Sequence, residues 1–163
     1  FNIVSKPNDW GKTQKASNGL GKAQKLQGEF WQAFGEYGAS NEEYSKEFNK
    51  RKALPQHWYD LPMGNSEYHI SLTCATQRNE IGIEVYIDNN KEIYDLFYAN
   101  KELIEEKTGL KYKWQRLDNK KASRIKAIKK CDVTNQEEWE ECFKWFCDNN
   151  LIIKREFNEI YNK

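Results

Sequence analysis

Two stretches of the chain alternate apolar and polar residues with a period of two. Tyr68, Ile70, Leu72 and Cys74 alternate with His69, Ser71, Thr73 and Ala75. After a turn at residues 77–80, Ile81, Ile83, Val85 and Ile87 alternate with Gly82, Glu84, Tyr86 and Asp88. Alternation on both arms predicts a β-hairpin with one buried face. A second hairpin is predicted further on: Tyr112 and Trp114 point inward with Lys111 and Lys113 outward. After a turn at residues 118–121, Ile125 and Ala127 point inward with Arg124 and Lys126 outward. A short strand or loop is expected between Pro55 and Pro62.

Elsewhere the period is helical. Leu26, Phe30, Phe34 and Tyr37, with Trp31 alongside, predict a helix over about 20–37. Ser40 and Glu43 fit a capping box that opens a short helix carrying Tyr44 and Phe48 and ending near Arg51. Ile93, Leu96, Phe97, Leu103 and Ile104 predict one helix over 91–107, stopped by Gly109. Thr134 and Glu137 suggest another cap, before a stripe from Trp139 to Ile160 that Asn149 and Asn150 could divide. Residues 1–8 read as extended and 9–24 as a basic, Gly/Ser/Asn-rich linker. The order predicts an α+β fold: a mostly antiparallel sheet built from two hairpins, with helices packed on one face.

A chain of 163 residues suits one domain. At that length roughly 70% of the unfolded surface is buried, so neither a disulfide nor a metal is required. With 6 Trp, 9 Tyr and 8 Phe, aromatic side chains supply much of the core. The net charge of +1 gives a weak overall field, so a polyanionic partner has to be argued from local charge. The chain shows no membrane-spanning run and no signal peptide. Cys74, Cys131, Cys142 and Cys147 include no CxxC pair, and His57 and His69 have no metal-ligand spacing to them. The cysteines are read as ordinary buried thiols and the protein is placed in the cytoplasm. No metal site and no cofactor are expected in this domain.

Residues 111–130 hold nine Lys/Arg and a single Asp, the sharpest charge asymmetry in the chain. Lys111, Lys113, Lys120, Lys121, Arg124 and Lys126 are therefore the candidate nucleic-acid-binding residues, since cationic side chains neutralise phosphates and release counterions. The competing explanation is a strand face made basic for solubility and edge protection. The acidic run Glu137–Glu141 could neutralise the patch. His69, Ser71, Glu84 and Tyr86 share the outward sheet face as polar candidates, and His57 and Trp58 are loop candidates. A metal-dependent nuclease needs carboxylates and a nearby lysine. Glu84 has Tyr86 two residues on, where that lysine would stand, so no catalytic residue is assigned. The NGLGK segment at 18–22 lacks phosphate-loop spacing.

Five segments, taken in order, carry a family resemblance: FNIVSKPNDW (1–10), PQHWYDLPMG (55–64), HISLT (69–73), IGIEVYI (81–87) and WQRLDNKKASRI (114–125). With the aromatic helix at 30–37 they resemble a bacterial and archaeal domain-of-unknown-function family, number 4268. The resemblance implies the C-terminal half of a longer protein whose upstream half looks like a PD-(D/E)XK nuclease; some relatives are labelled restriction- or defence-related. It implies residues 1–25 as an extended segment and linker from a missing upstream domain, in keeping with a chain that begins at Phe1, and 26–163 as a single domain. A divalent metal such as Mg would belong to the upstream half. Positions matching the family pattern are His57, Trp58, His69, Ser71, Glu84, Tyr86, Lys120, Lys121, Ser123 and Arg124.

The expected function is an accessory nucleic-acid-binding or target-positioning domain of a nuclease-like protein, not catalytic alone. Two alternatives stand beside it. A protein-interaction or dimerisation module predicts a homodimer and an exposed aromatic patch from Trp10, Trp31 or Trp58. A degenerate nuclease-like enzyme predicts metal near Glu84, or a pocket joining His69 and Glu84.

Overall fold

The computed structural model describes residues 8–163, with side chains from residue 21 onward. The extended reading of residues 1–7 and the side chain of Trp10 lie outside the described residues. Five strands form one antiparallel sheet: β1 (Trp58–Pro62), β2 (Tyr68–Ala75), β3 (Glu80–Ile87), β4 (Lys113–Gln115) and β5 (Ser123–Lys130). Their spatial order is β1-β2-β3-β5-β4, so the two predicted hairpins meet through β3 and β5 and share one sheet. The fold is α+β, as the pattern predicts.

Register explains the two faces. Tyr59, Leu72, Ile83 and Ala127 pair in one row, and Leu61, Ile70, Val85, Ile125 and Trp114 in another. Both rows face the helices, and all of these residues but Trp114 are at most 3% exposed. The helices are α1 (Asn8–Ser40), α2 (Glu42–Glu47), α3 (Lys91–Ala99), α4 (Lys101–Thr108) and α5 (Trp139–Tyr161). Phe30, Trp31 and Phe34 of α1 pack edge-on or tilted against Phe143 and Phe146 of α5, and Tyr59 is met edge-on by Phe34 and stacked on by Trp31. Phe97 of α3 meets Tyr68 and Phe157. Such ring pairs add roughly 0.5–1.5 kcal/mol each beyond their buried area.

Several local expectations are corrected. Residues 9–24, read as linker, lie within α1, which is interrupted at Gly21, whose φ of 72° only glycine adopts readily. The first cap is Asn41, whose side chain accepts from Tyr44 N at 3.1 Å, while the Ser40 hydroxyl donates to Tyr37 O. The short helix ends at Glu47 rather than Arg51. Asn100 splits the predicted 91–107 helix into α3 and α4, its side chain donating to Leu96 O. Gly109 ends α4 at φ 73° as expected. The second capping box is also displaced. Asn135 caps the short 3-10 helix Gln136–Glu138, because the Thr134 hydroxyl is taken by Asp132. Asn149 and Asn150 do not divide α5; Asn150 is fully buried and donates to the Tyr44 hydroxyl.

The cysteine reading changes too. Cys131, just after β5, is disulfide-bonded to Cys142 in α5, because the turn of the chain brings their Cα atoms to 6.6 Å. Cys74 and Cys147 are free and buried, and burial pushes both thiols up to about 12. Among the described residues, no helix is long and apolar enough to cross a membrane.

Candidate functional site

The sheet face away from the helices carries three rows set by the same register. Trp58, Thr73, Gly82 and Ile128 form the first. Asp60, Ser71, Glu84, Lys126 and Lys113 form the second, and Pro62, His69, Tyr86, Arg124 and Gln115 the third. Strand alternation puts their side chains on one surface. A concave pocket of about 380 Å³ opens there between His57, Trp58, Asp60, His69, Ser71 and Glu84, with Tyr86 and Arg124 closing it. It adjoins a cleft of about 750 Å³ that reaches Gln24 and Gln27 of α1, Arg78 and Lys126. Gly82 helps to keep the surface open: a Cβ there would lie 2.7 Å from Thr73 Oγ1 and 3.2 Å from Lys126 Cε.

Glu84 sits at the centre and is only 5% exposed. Its carboxylate faces Lys126 Nζ at 3.5 Å and Arg124 Nε at 3.8 Å. A buried carboxylate is tolerated when opposite charge stands beside it. His69 lies between two carboxylates, with Nε2 3.8 Å from Asp60 Oδ2 and Nδ1 3.7 Å from Asp88 Oδ1. Its ring centroid lies 5.1 Å from that of Tyr86, and the Arg124 guanidinium lies over the Tyr86 ring, 5.5 Å from its centroid. Asp60 Oδ1 and Arg124 Nε are buried and have no hydrogen-bond partner. Such groups are uncommon in folded proteins; Arg124 Nε has only the long ion pair to Glu84.

The pocket's basic side is held from behind. The Lys91 ammonium, at the start of α3, donates to the carbonyls of Arg116, Leu117 and Ala122 and to Ser123 Oγ, pinning the β4–β5 turn. Arg116 in turn pairs with Asp95 and Asp118. The start of β5, and with it Arg124, is thereby fixed relative to β3.

The family profile described as "Domain of unknown function (DUF4268)" matches residues 26–161. The chain belongs to the DUF4268 family. No curated protein and no solved structure matches it.

Within this DUF4268 domain the structure brings His57, Trp58, His69, Ser71, Glu84, Tyr86 and Arg124 into one pocket, with Lys126 at the adjoining cleft. Lys113 stands on the same row at the sheet edge. Lys111 does not join them: it precedes β4, and its exposed side chain lies 3.9 Å from Glu105. Lys120 and Lys121 sit in the exposed β4–β5 turn, and Ser123 faces the opposite side, fully buried. The acidic run 137–141 takes Lys129, through Glu141 in the first turn of α5 at 3.6 Å, rather than Arg124 or Lys126. Glu84 is a buried pairing carboxylate rather than a surface one. Trp31 is buried in the core, so of the three tryptophans proposed for an exposed patch it supplies none. Trp58 is 39% exposed. Among the described residues, no three His, Cys, Asp or Glu stand together as a metal ion would need.

Asp60, Asp88 and Thr73 were not among the predicted site residues. Asp60 was readable: Trp58 and Asp60 alternate with Tyr59 and Leu61, the signature of a third strand next to the first hairpin. Asp88 ends the outward set of β3 and meets His69 only through the fold.

Proposed function

We propose that the open sheet face of this DUF4268 domain binds nucleic acid and positions it for a nuclease-like domain of the same protein. The observation that carries the reading is the sharing of one concave surface by Arg124 and Lys126 with the aromatic rings of Trp58 and Tyr86, with Lys113 beside Lys126 at the sheet edge. Cations on such a face contact phosphates, and exposed rings stack on bases. Carboxylates and hydroxyls at Asp60, Ser71 and Thr73 add hydrogen-bonding groups for base edges. The domain acts in the cytoplasm as an accessory module; any divalent metal such as Mg serves the nuclease-like domain.

The test is fluorescence anisotropy of the 163-residue chain with labelled DNA and RNA across a salt series. Binding is expected to weaken with salt, at about 0.7–0.9 in log–log slope per phosphate contact. Lys113→Gln and Arg124→Gln, each checked for an unchanged melting curve, should weaken it. Absence of binding at low salt by the folded chain refutes the reading.

A second reading, an unusual or degenerate nuclease-like enzyme, draws support from the pocket that His69 and Glu84 line together. Cleavage of labelled oligonucleotides in the presence of Mg or Mn, lost in His69→Ala, would favour it over the binding role. A dimerisation module would instead reveal itself as a mass that rises with concentration.

A further inference from the structure

We propose that the open face takes single-stranded rather than duplex nucleic acid and seats one unstacked base with its exocyclic amine against Asp60. The inference rests on the nucleic-acid reading above and narrows it.

The first argument is how charge is sorted across the strands. Asp60 on β1 and Asp88 after β3 flank His69. Arg124 and Lys126 on β5 and Lys113 on β4 hold the other side. From β1 to β5 the sheet takes three inter-strand steps of about 4.8 Å, roughly 14 Å in all. A duplex has two phosphate backbones, separated by grooves of about 6 and 12 Å. With one backbone on Arg124 and Lys126, the other would lie over β1 and Asp60, where it meets a carboxylate. A single strand has one backbone. It can run along β5 and turn its bases toward β2 and β1.

The second argument is the pair of unpartnered atoms. Asp60 Oδ1 finds no donor within the fold, and Arg124 Nε has only the 3.8 Å ion pair with Glu84; both side chains, 44% and 43% exposed, line the same pocket. A ligand that satisfies both needs an N–H at one end and an anionic or carbonyl oxygen at the other. An amine-bearing base attached to a phosphate has that polarity. Carboxylates read base amines in this way, as with Asp or Glu accepting from cytosine N4.

The third argument is size. About 380 Å³ lies at the small end of ligand pockets, right for one base and its sugar. The adjoining cleft of about 750 Å³ shares His57, Trp58, Thr73, Glu84 and Arg124 with it and leaves room for neighbouring nucleotides. Trp58, 39% exposed at the junction, offers a ring on which the next base stacks. Glu84, beneath Arg124 and Lys126, limits how much phosphate charge this side gathers, so bases have to supply part of the binding.

The experiment measures anisotropy at one low salt concentration with labelled oligo-dC, oligo-dA and oligo-dT about 12 nucleotides long, oligo-rC and oligo-rU, and a duplex of equal length. Single strands are expected to bind at least about tenfold more tightly than the duplex. Oligo-dC should exceed oligo-dT by about tenfold. Asp60→Ala, which removes the acceptor, should erase that difference while leaving oligo-dT unchanged, a result that a folding defect would not produce. Trp58→Ala should weaken all single strands alike. The rC and rU pair assigns the source as RNA or DNA. Duplex binding equal to or tighter than single-strand binding, or equal affinity for oligo-dC and oligo-dT, overturns this inference and leaves the broader reading standing. Absence of binding to every probe removes both.

Discussion

The two faces of the sheet are built from the same strands, one residue apart, and differ in how completely their groups are satisfied. On the helix side, Leu61, Ile70, Val85 and Ile125 stack beneath aromatic rings of α1, α3 and α5, and polar atoms are mostly paired: Trp31 Nε1 donates to Gln56 O and Gln27 Nε2 to Cys74 O. Asn150 Oδ1 is the exception there. On the open side the central carboxylate, Glu84, is held by ion pairs of 3.5 and 3.8 Å, and an acceptor and a donor lie buried without partners. The comparison separates the work of the two faces. One face is satisfied within the fold, and the other carries buried polar atoms that the protein leaves unpaired, a local conflict of the kind that functional sites show.

Four substitutions test that division, from the largest effect to the smallest. Phe34→Ala, at a site 1% exposed among five aromatic neighbours, should lower unfolding free energy by about 3–5 kcal/mol in urea titrations. A loss of less than about 1 kcal/mol would mean that the helix face is not the main source of stability. Replacing Cys131 and Cys142 together by Ser should cost about 2–3 kcal/mol, since the bond closes a short loop with a sequence separation of 11. The same change should leave oligonucleotide affinity in place below the melting range.

Glu105 tests the helix side by pH. Burial opposes its ionisation, but hydrogen bonds from Trp114 Nε1 and Tyr112 N outweigh it and hold the carboxyl below its ordinary 4.5. A depressed folded value stabilises above the unfolded value and is lost as pH falls through the folded one. Glu105→Gln should therefore cost about 1.5 kcal/mol at neutral pH and progressively less as pH drops below 4.5. A cost that does not change with pH would assign the effect to packing. Glu84→Gln should cost about 1 kcal/mol, because it removes a buried carboxylate from two ion pairs whose cations, Arg124 and Lys126, both keep some contact with solvent. It should tighten oligonucleotide binding by removing a negative charge beside two cations. Weaker binding would instead make Glu84 part of the recognition surface.

Much of this architecture was legible because alternation is local. The inward and outward sets of β2, β3 and β5 follow from neighbouring residues, and so do His69, Ser71, Glu84, Tyr86 and Arg124 as members of one face. What was not legible depends on distant pairing or on close competition between similar residues. Asn41 and Asn135 displaced Ser40 and Thr134 as caps by a single position, because both hydroxyls find nearer acceptors. Residues 9–24 lie within α1 although their composition favours a linker, which shows how weakly Gly and Ser content alone excludes helix. Lys111 parted from Lys113 because β4 begins only at residue 113. The bond between Cys131 and Cys142 depends on how β5 returns into α5, which spacing does not encode.

That bond joins the end of the strand bearing Arg124 and Lys126 to α5 in the opposite layer, and both of its cysteines are at most 3% exposed. A reductant in solution reaches the sulfurs only when β5 and α5 draw apart. The rate at which a mild thiol opens the bond in the folded chain therefore counts those separations, and a bound oligonucleotide that clamps β5 should slow the count.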